Sequence, residues 1–236
     1  MRNNSLLETA SLVVAFFVLL VPGGVAFGGV DPPSGAVRSA IPERPDSTAR
    51  YVFYLHGRII EDQGVRPTHP EFGVYEYEAI LDSLAAEGFQ VVSEARKKGT
   101  DVDAYAERVA NDVRYLLAEG VSPDRITVIG FSKGGVIAIF ASEKLANKDV
   151  NFVFMAACGR WLQRREKSPQ VCGRILSIHE KSDEIGGSCA GLFDGSEAEL
   201  ATKEITIDTG KRHGAFYVPR SEWLRPVVLW IKQGGN

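Results

Sequence analysis

Gly130-Phe131-Ser132-Lys133-Gly134 sets a lone serine among glycines, the G-x-S-x-G pattern of a reactive hydroxyl held on a tight bend. The neighbours give that pattern its meaning. Ile126 to Ile129 is a β-branched run suited to a strand, and Gly134 to Leu145 is an apolar stretch with helical spacing. A sharp turn from strand to helix forces the serine into a strained backbone conformation, and flanking glycines let other segments approach where a Cβ would clash. The Oγ is then exposed at the C-terminal edge of a sheet and faces a helix N-terminus. There the backbone N–H of Lys133 can stabilise developing negative charge. The bland alternative is a glycine-rich turn with no chemistry.

A serine hydroxyl is a weak nucleophile and needs a base and an orienting acid. His213 sits in the glycine-flanked loop of "ITIDTGKRHGAFY", beyond a run that reads as the last strand. The other histidines have other places: His56 closes the strand "YVFYLHG", His69 lies in a long loop and His179 ends the strand "GRILSIHE". His56 reads as a satisfied structural residue. For the acid, Glu180, Asp183 and Glu184 share the loop after that strand, while Asp101 and Asp208 read as scaffold acids. Lys133 itself invites a Ser-Lys reading, but a residue next to the serine on such a bend points its side chain away. Parallel strands would bring the loops of Ser132, the acid and His213 to one edge of the sheet.

The elements that must position these residues follow from composition and periodicity. The chain has 236 residues, is 44% hydrophobic and carries a net charge of −3, enough for one sizeable core and weakly against nucleic acid as a partner. The basic stretch Arg160 to Lys167 reads as a solvated face. Residues 1–28 carry an apolar run, Leu12 to Val21, of signal-peptide length and short of a bilayer span, with small-x-small cleavage options at Gly24/Ala26 and Ala26/Gly28. Export to the periplasm or beyond is expected, with an uncleaved membrane anchor as the alternative. Residues 29–49, rich in Pro, Gly and Ser, read as a linker, and 50–236 as the domain. Arg58 to Gly73 carries Gly64, Pro67, Pro70 and Gly73 and reads as a long loop. Beyond it, short apolar runs alternate with amphipathic helices. The expected fold class is therefore α/β, a mostly parallel sheet of about six strands covered by helices on both faces.

From about Arg50 to Gln233 the sequence resembles an α/β-hydrolase, in a small form lacking most of the first two strands. The resemblance rests on GFSKGG, on His56-Gly57 closing its strand, on the order serine, acid, histidine, and on the His213 loop. It implies that the turn after His56 supplies a second oxyanion N–H, from Gly57 or Arg58, beside that of Lys133. It implies Asp183 as the acid, with Glu180 the alternative. A cap in this fold commonly follows the strand ending at Ala157, and here 158–172 is long enough only for a helix, so no bulky lid is expected. The loop 58–73, with Tyr75 and Tyr77 beyond it, is the expected pocket wall. Arg58 either attracts an anionic substrate or pairs with Glu61 or Asp62.

An exported chain meets an oxidising compartment, and three cysteines leave one thiol over. Cys158 and Cys189 should emerge at the same edge of the sheet. Cys172 should lie at the other, ~17 Å away along a five-residue strand and beyond disulfide reach. The expected bond is Cys158–Cys189. No Cys/His spacing suggests a metal. The expected activity is hydrolysis of a small or medium carboxylic ester or thioester through an acyl-enzyme, without a cofactor. A peptidase or amidase on the same groups, or a binding protein on the same fold, are the alternatives.

Overall fold

The computed structural model describes residues 35–163, 167–194 and 201–234. The apolar segment read as an export signal and the start of the linker lie outside them, as do 164–166 of the basic stretch. In chain order the elements are β1 (Ala36–Arg38), β2 (Tyr51–Leu55), α1 (Arg58–Gln63), β3 (Thr68–His69), β4 (Gly73–Val74), α2 (Tyr77–Ala86), β5 (Gln90–Val92) and α3 (Val102–Ala118). There follow β6 (Ile126–Phe131), α4 (Lys133–Leu145), β7 (Asn151–Met155), α5 (Arg160–Gln163), β8 (Arg174–Glu180), α6 (Ala190–Asp194), β9 (Ala201–Ile207) and α7 (Ser221–Gln233). Tight helical turns add Pro123–Arg125 and Arg212–Phe216.

Seven strands form one sheet in the order β1-β5-β2-β6-β7-β8-β9, and every neighbouring pair is parallel. In β2, β6 and β7 every residue is buried, because helices cover both faces and leave no polar side for alternation to show. The period of two survives in which layer each residue joins. Phe53, Leu55, Val128, Phe152 and Phe154 pack with Val109 and Val113 of α3 and Ile137 of α4. Val52, Tyr54, Ile129 and Val153 pack on the other face with Ile80 and Leu84 of α2 and with Trp223, Val227 and Ile231 of α7. No helix of the described residues is long and apolar enough to cross a membrane.

Two segments differ from the sequence reading. Ala36–Arg38, expected within the linker, adds a parallel edge strand to β5. Its backbone satisfies groups along β5, the Ala36 N–H donating to the Phe89 carbonyl and the Ser93 N–H to that of Arg38; an uncovered strand edge leaves such groups unpaired. Residues 58–73 are not an irregular loop: they form α1 and, with Val74, the antiparallel β3–β4 hairpin. Helix α1 is only six residues long, entered from extended Gly57 and ended by Gly64 at φ 87°, too short for an apolar period to register.

Because the sheet is parallel, the turns after β2, β6, β7, β8 and β9 all open on one edge. The chain runs from β2 outward to β5 and then crosses to β6 on the other side of β2. That reversal places a crevice beside the ends of β2 and β6.

Candidate active site

Ser132 is the single residue between β6 and α4, with φ 54° and ψ −119°. A non-glycine residue at positive φ is strained and persists only where its surroundings hold it. Here the Ser132 N–H donates to the Met155 carbonyl at 2.9 Å, and the Ser132 carbonyl accepts the Val136 N–H at 3.0 Å. The close approach that needs glycine is real: a Cβ on Gly134 would overlap the Leu55 carbonyl. A Cβ on Gly57 would stand 3.6 Å from that of Ser132 and 3.1 Å from the Phe131 ring. The turn after β2 therefore lies directly against the serine bend.

His213 comes from the tight turn after β9 and Asp183 from the turn after β8. The His213 Nε2 is 2.9 Å from the Ser132 Oγ, and its Nδ1 is 2.7 Å from the Asp183 Oδ2. An ionised carboxylate can only accept, so Nδ1 carries the ring hydrogen and Nε2 is left to accept the Ser132 O–H. His213 and Asp183 are both buried. Burial works against charge on Asp183, yet the hydrogen bond and charge of His213, with the N–H groups of Ile185 and Gly186, together hold its carboxyl below the usual range. The Phe131 ring, 4.9 Å from that of His213, and the Phe72 ring, 6.1 Å away, flank the imidazole.

Glu180, the alternative acid, does not reach His213. One of its oxygens accepts the N–H and the Oγ–H of Ser182 at 2.7 and 2.6 Å, and the other accepts the N–H of Thr209 and of Gly210 at 2.9 and 3.0 Å. Glu180 thus joins the loop of Asp183 to the loop of His213. Burial opposes its charge, but these donors outweigh it and lower its pKa.

Arg58 and Lys133 are the first residues of α1 and α4, where backbone N–H groups have no partner within the helix. Behind this turn the buried Tyr75 hydroxyl is 2.8 Å from the Tyr54 hydroxyl. Gly57 and Arg58 both remain candidates for a second donor beside Lys133. The Arg58 side chain pairs with Asp62 at 3.3 Å. His56 is buried, its Nδ1 2.8 Å from the Gly57 carbonyl and its Nε2 accepting the Arg96 N–H at 2.8 Å. Burial, with the charge of Arg96, lowers its pKa to about 3. It is a neutral structural residue. Asp101 caps α3 by accepting the Ala104 N–H, and Asp208 pairs with Lys181. Cys158 and Cys189 are joined, with Cα atoms 5.1 Å apart, and Cys172 is free.

A cavity of about 780 Å³ opens beside Ser132. Val102, Val136, Ala156, Ala157 and Ile185 form its apolar lining, and Arg58, Lys98, Arg160 and Arg212 are among its charged residues. The expected wall is corrected here: Tyr75 and Tyr77 are buried in the core, and α1 with residues 98–102 takes that place. What sequence reasoning missed is the buried pair Glu61 and Arg96, 3.0 Å apart behind the turn after β2. Neither falls in a motif, and burial of two charges has no periodic signature.

A parallel sheet with its serine on a strained bend between a central strand and a helix defines the α/β-hydrolase fold. Residues 88–191 match the family model described as Phospholipase/Carboxylesterase. No curated protein matches the chain. Among solved structures, MGS-M1, an alpha/beta hydrolase enzyme from a Medee basin deep-sea metagenome library, superposes with a TM-score of 0.53 at 18% identity, over 84% of this chain and 90% of that one. The Pyrococcus furiosus esterase Pf2001 gives 0.52 at 16% identity, over 80% and 84%. Esterase PE8 gives 0.50 at 15%, over 85% and 98%. The chain thus has the α/β-hydrolase fold, and its central part is similar to a family of hydrolases.

Proposed function

We propose that the protein is an exported serine esterase that cleaves small or medium carboxylic esters or thioesters through an acyl-enzyme. The observation that carries this reading is the continuous relay from Asp183 to His213 to Ser132, with contacts of 2.7 and 2.9 Å, at the side of an apolar cavity. The Ser132 Oγ attacks the substrate carbonyl as its proton passes to the His213 Nε2, and Asp183 stabilises the imidazolium that forms. The carbonyl oxygen becomes an oxyanion facing the N–H groups of Lys133 and Arg58. Collapse breaks the ester bond, and His213 returns the proton to the leaving alcohol or thiol. Water, deprotonated by the same Nε2, then releases the acid and restores the serine.

The description of the matched family agrees with ester chemistry. The cavity volume lies within the ~300–1,000 Å³ usual for small-molecule sites. Between β7 and β8 the described residues hold only the four-residue α5, which suits a substrate that needs no large lid. The test is labelling with a fluorophosphonate probe, followed by 4-nitrophenyl esters of graded acyl length. Labelling and ester turnover should both disappear in Ser132→Ala. Labelling that survives this substitution overturns the assignment, and no labelling of the native protein points instead to a binding role. Amino-terminal sequencing of the mature protein tests export: an intact Met1 start in a membrane fraction favours the anchor.

A further inference from the structure

A buried ion cluster lies behind the serine bend, and the relay makes no use of it. The Glu61 side chain is 1% exposed. Its Oε1 accepts from the Arg96 Nε at 3.0 Å and its Oε2 from the Lys133 Nζ at 2.6 Å. The Lys133 ammonium donates further to the Thr100 carbonyl at 2.7 Å. The Arg96 guanidinium, itself fully buried, donates through Nη2 to the His56 carbonyl, and its Nη1 has no partner among the described residues. The cluster thus gathers the turn after β2, residues 96–100 and the first residue of α4.

Two buried charges and a third, Lys133, only 18% exposed are a poor way to gain stability. Desolvation offsets much of their attraction, and apolar side chains of similar volume often serve as well. Their location suggests another use. Arg58 and Glu61 lie three residues apart in the first turn of α1, while Lys133 presents its amide beside Ser132 and turns its side chain back to Glu61. We propose that Glu61 is a positioning residue, whose carboxylate, through Lys133 and α1, sets the spacing of the Lys133 and Arg58 backbone N–H groups that receive the oxyanion. The inference rests on the esterase reading of Ser132. Backbone donors cannot adjust by rotamer, so their separation depends on what ties their two turns together. Small displacements of groups that must meet a transition state are expensive in rate. Arg96 completes the tie by holding the His56 carbonyl and Glu61 at once.

The experiment is Lys133→Met, which keeps the amide and the length of the stem and leaves Glu61 bonded to Arg96. Thermal unfolding, steady-state hydrolysis of 4-nitrophenyl acetate and the rate of fluorophosphonate labelling of Ser132 are measured together. The expected result is a folded protein whose kcat and labelling rate fall about tenfold or more while KM moves less than about twofold. Lys133→Arg should recover part of the loss. An unchanged kcat and labelling rate, or a loss confined to KM, overturns the proposal, because Lys133 would then act only on folding or on ground-state binding. Should Lys133→Met fail to fold, Glu61→Gln takes the same measurements with the same criteria. Native protein that does not label at Ser132 defeats the esterase reading itself, whereas normal native labelling with unaltered variants defeats only the tie.

Discussion

Asp183 decides the state of its neighbour. As an ion that can only accept, it fixes the His213 hydrogen on Nδ1. Asp183→Asn can present an N–H to that nitrogen and favour the wrong tautomer. The expected outcome is a kcat lower by roughly 10³–10⁴-fold with the fold retained, read from ester kinetics beside a circular dichroism melt; a loss of less than tenfold would point to another acid. His56 supports a pH prediction of definite sign. Its pKa is lowered to about 3 by burial, so below about pH 6.5 the unfolded chain takes up a proton that the native state refuses. From this group stability is complete above about 6.5 and declines as pH falls toward 3, by up to about 1.4 kcal/mol per pH unit. Asp183 pushes the same way but only in the carboxylate range. Denaturant unfolding at pH 6 and pH 4.5 should therefore show a shallower pH slope in His56→Gln than in the native protein; equal slopes would mean that His56 titrates normally. At this scale Ser132 and His213 are legible in sequence because a bend and a glycine-flanked loop announce them. Glu61 and Arg96 are not, since nothing local distinguishes a buried ion pair from two surface charges.

Between elements, the telling contact is α4 on β2. A methyl group at position 134 meets the carbonyl at the end of β2, and a helix capped by Ser132 cannot shift away without moving that serine. Gly134→Ala should lower stability by about 1–3 kcal/mol or more and reduce ester turnover together with it, as seen in parallel melts and assays. An unaltered melting temperature would show that the approach is looser than described. The strands and the long helices are readable from runs and periods, and Gly88 and Gly120 mark the ends of α2 and α3. Helix α1 and the β3–β4 hairpin are not, because six residues and two-residue strands carry too little pattern. Tyr75 and Tyr77 illustrate the same limit. Their aromatic character suits a pocket wall as well as a core, and only the packing of Tyr75 against Phe131 and Tyr217 assigns it to the core.

Across the whole molecule, the Cys158–Cys189 bond closes a separation of 31 residues and ties the end of β7 to the segment after the Asp183 turn. Removing it in a Cys158→Ser/Cys189→Ser protein should cost about 3–4 kcal/mol, by loop-closure entropy in the unfolded chain. Denaturant titration of the two proteins checks this. Thiol counting on the denatured, unreduced native protein should return one thiol per chain, and three would contradict the bond.

The same molecule shows where local information stops. A β-branched run, a serine between glycines and an amphipathic stretch are properties of adjacent residues, so the alternation of strands and helices and the identity of the bend residue follow from the order of amino acids alone. Which carboxylate meets His213 is different. Glu180 and Asp183 share one short loop and the same chemistry, and they are separated only when the β8 and β9 turns come together, one Glu180 oxygen closing on the backbone at 209–210 and one Asp183 oxygen on the ring. The burial of Glu61 against Arg96 and beside Lys133 belongs with it. Each depends on contacts between segments tens of residues apart, and no spacing along the chain encodes them.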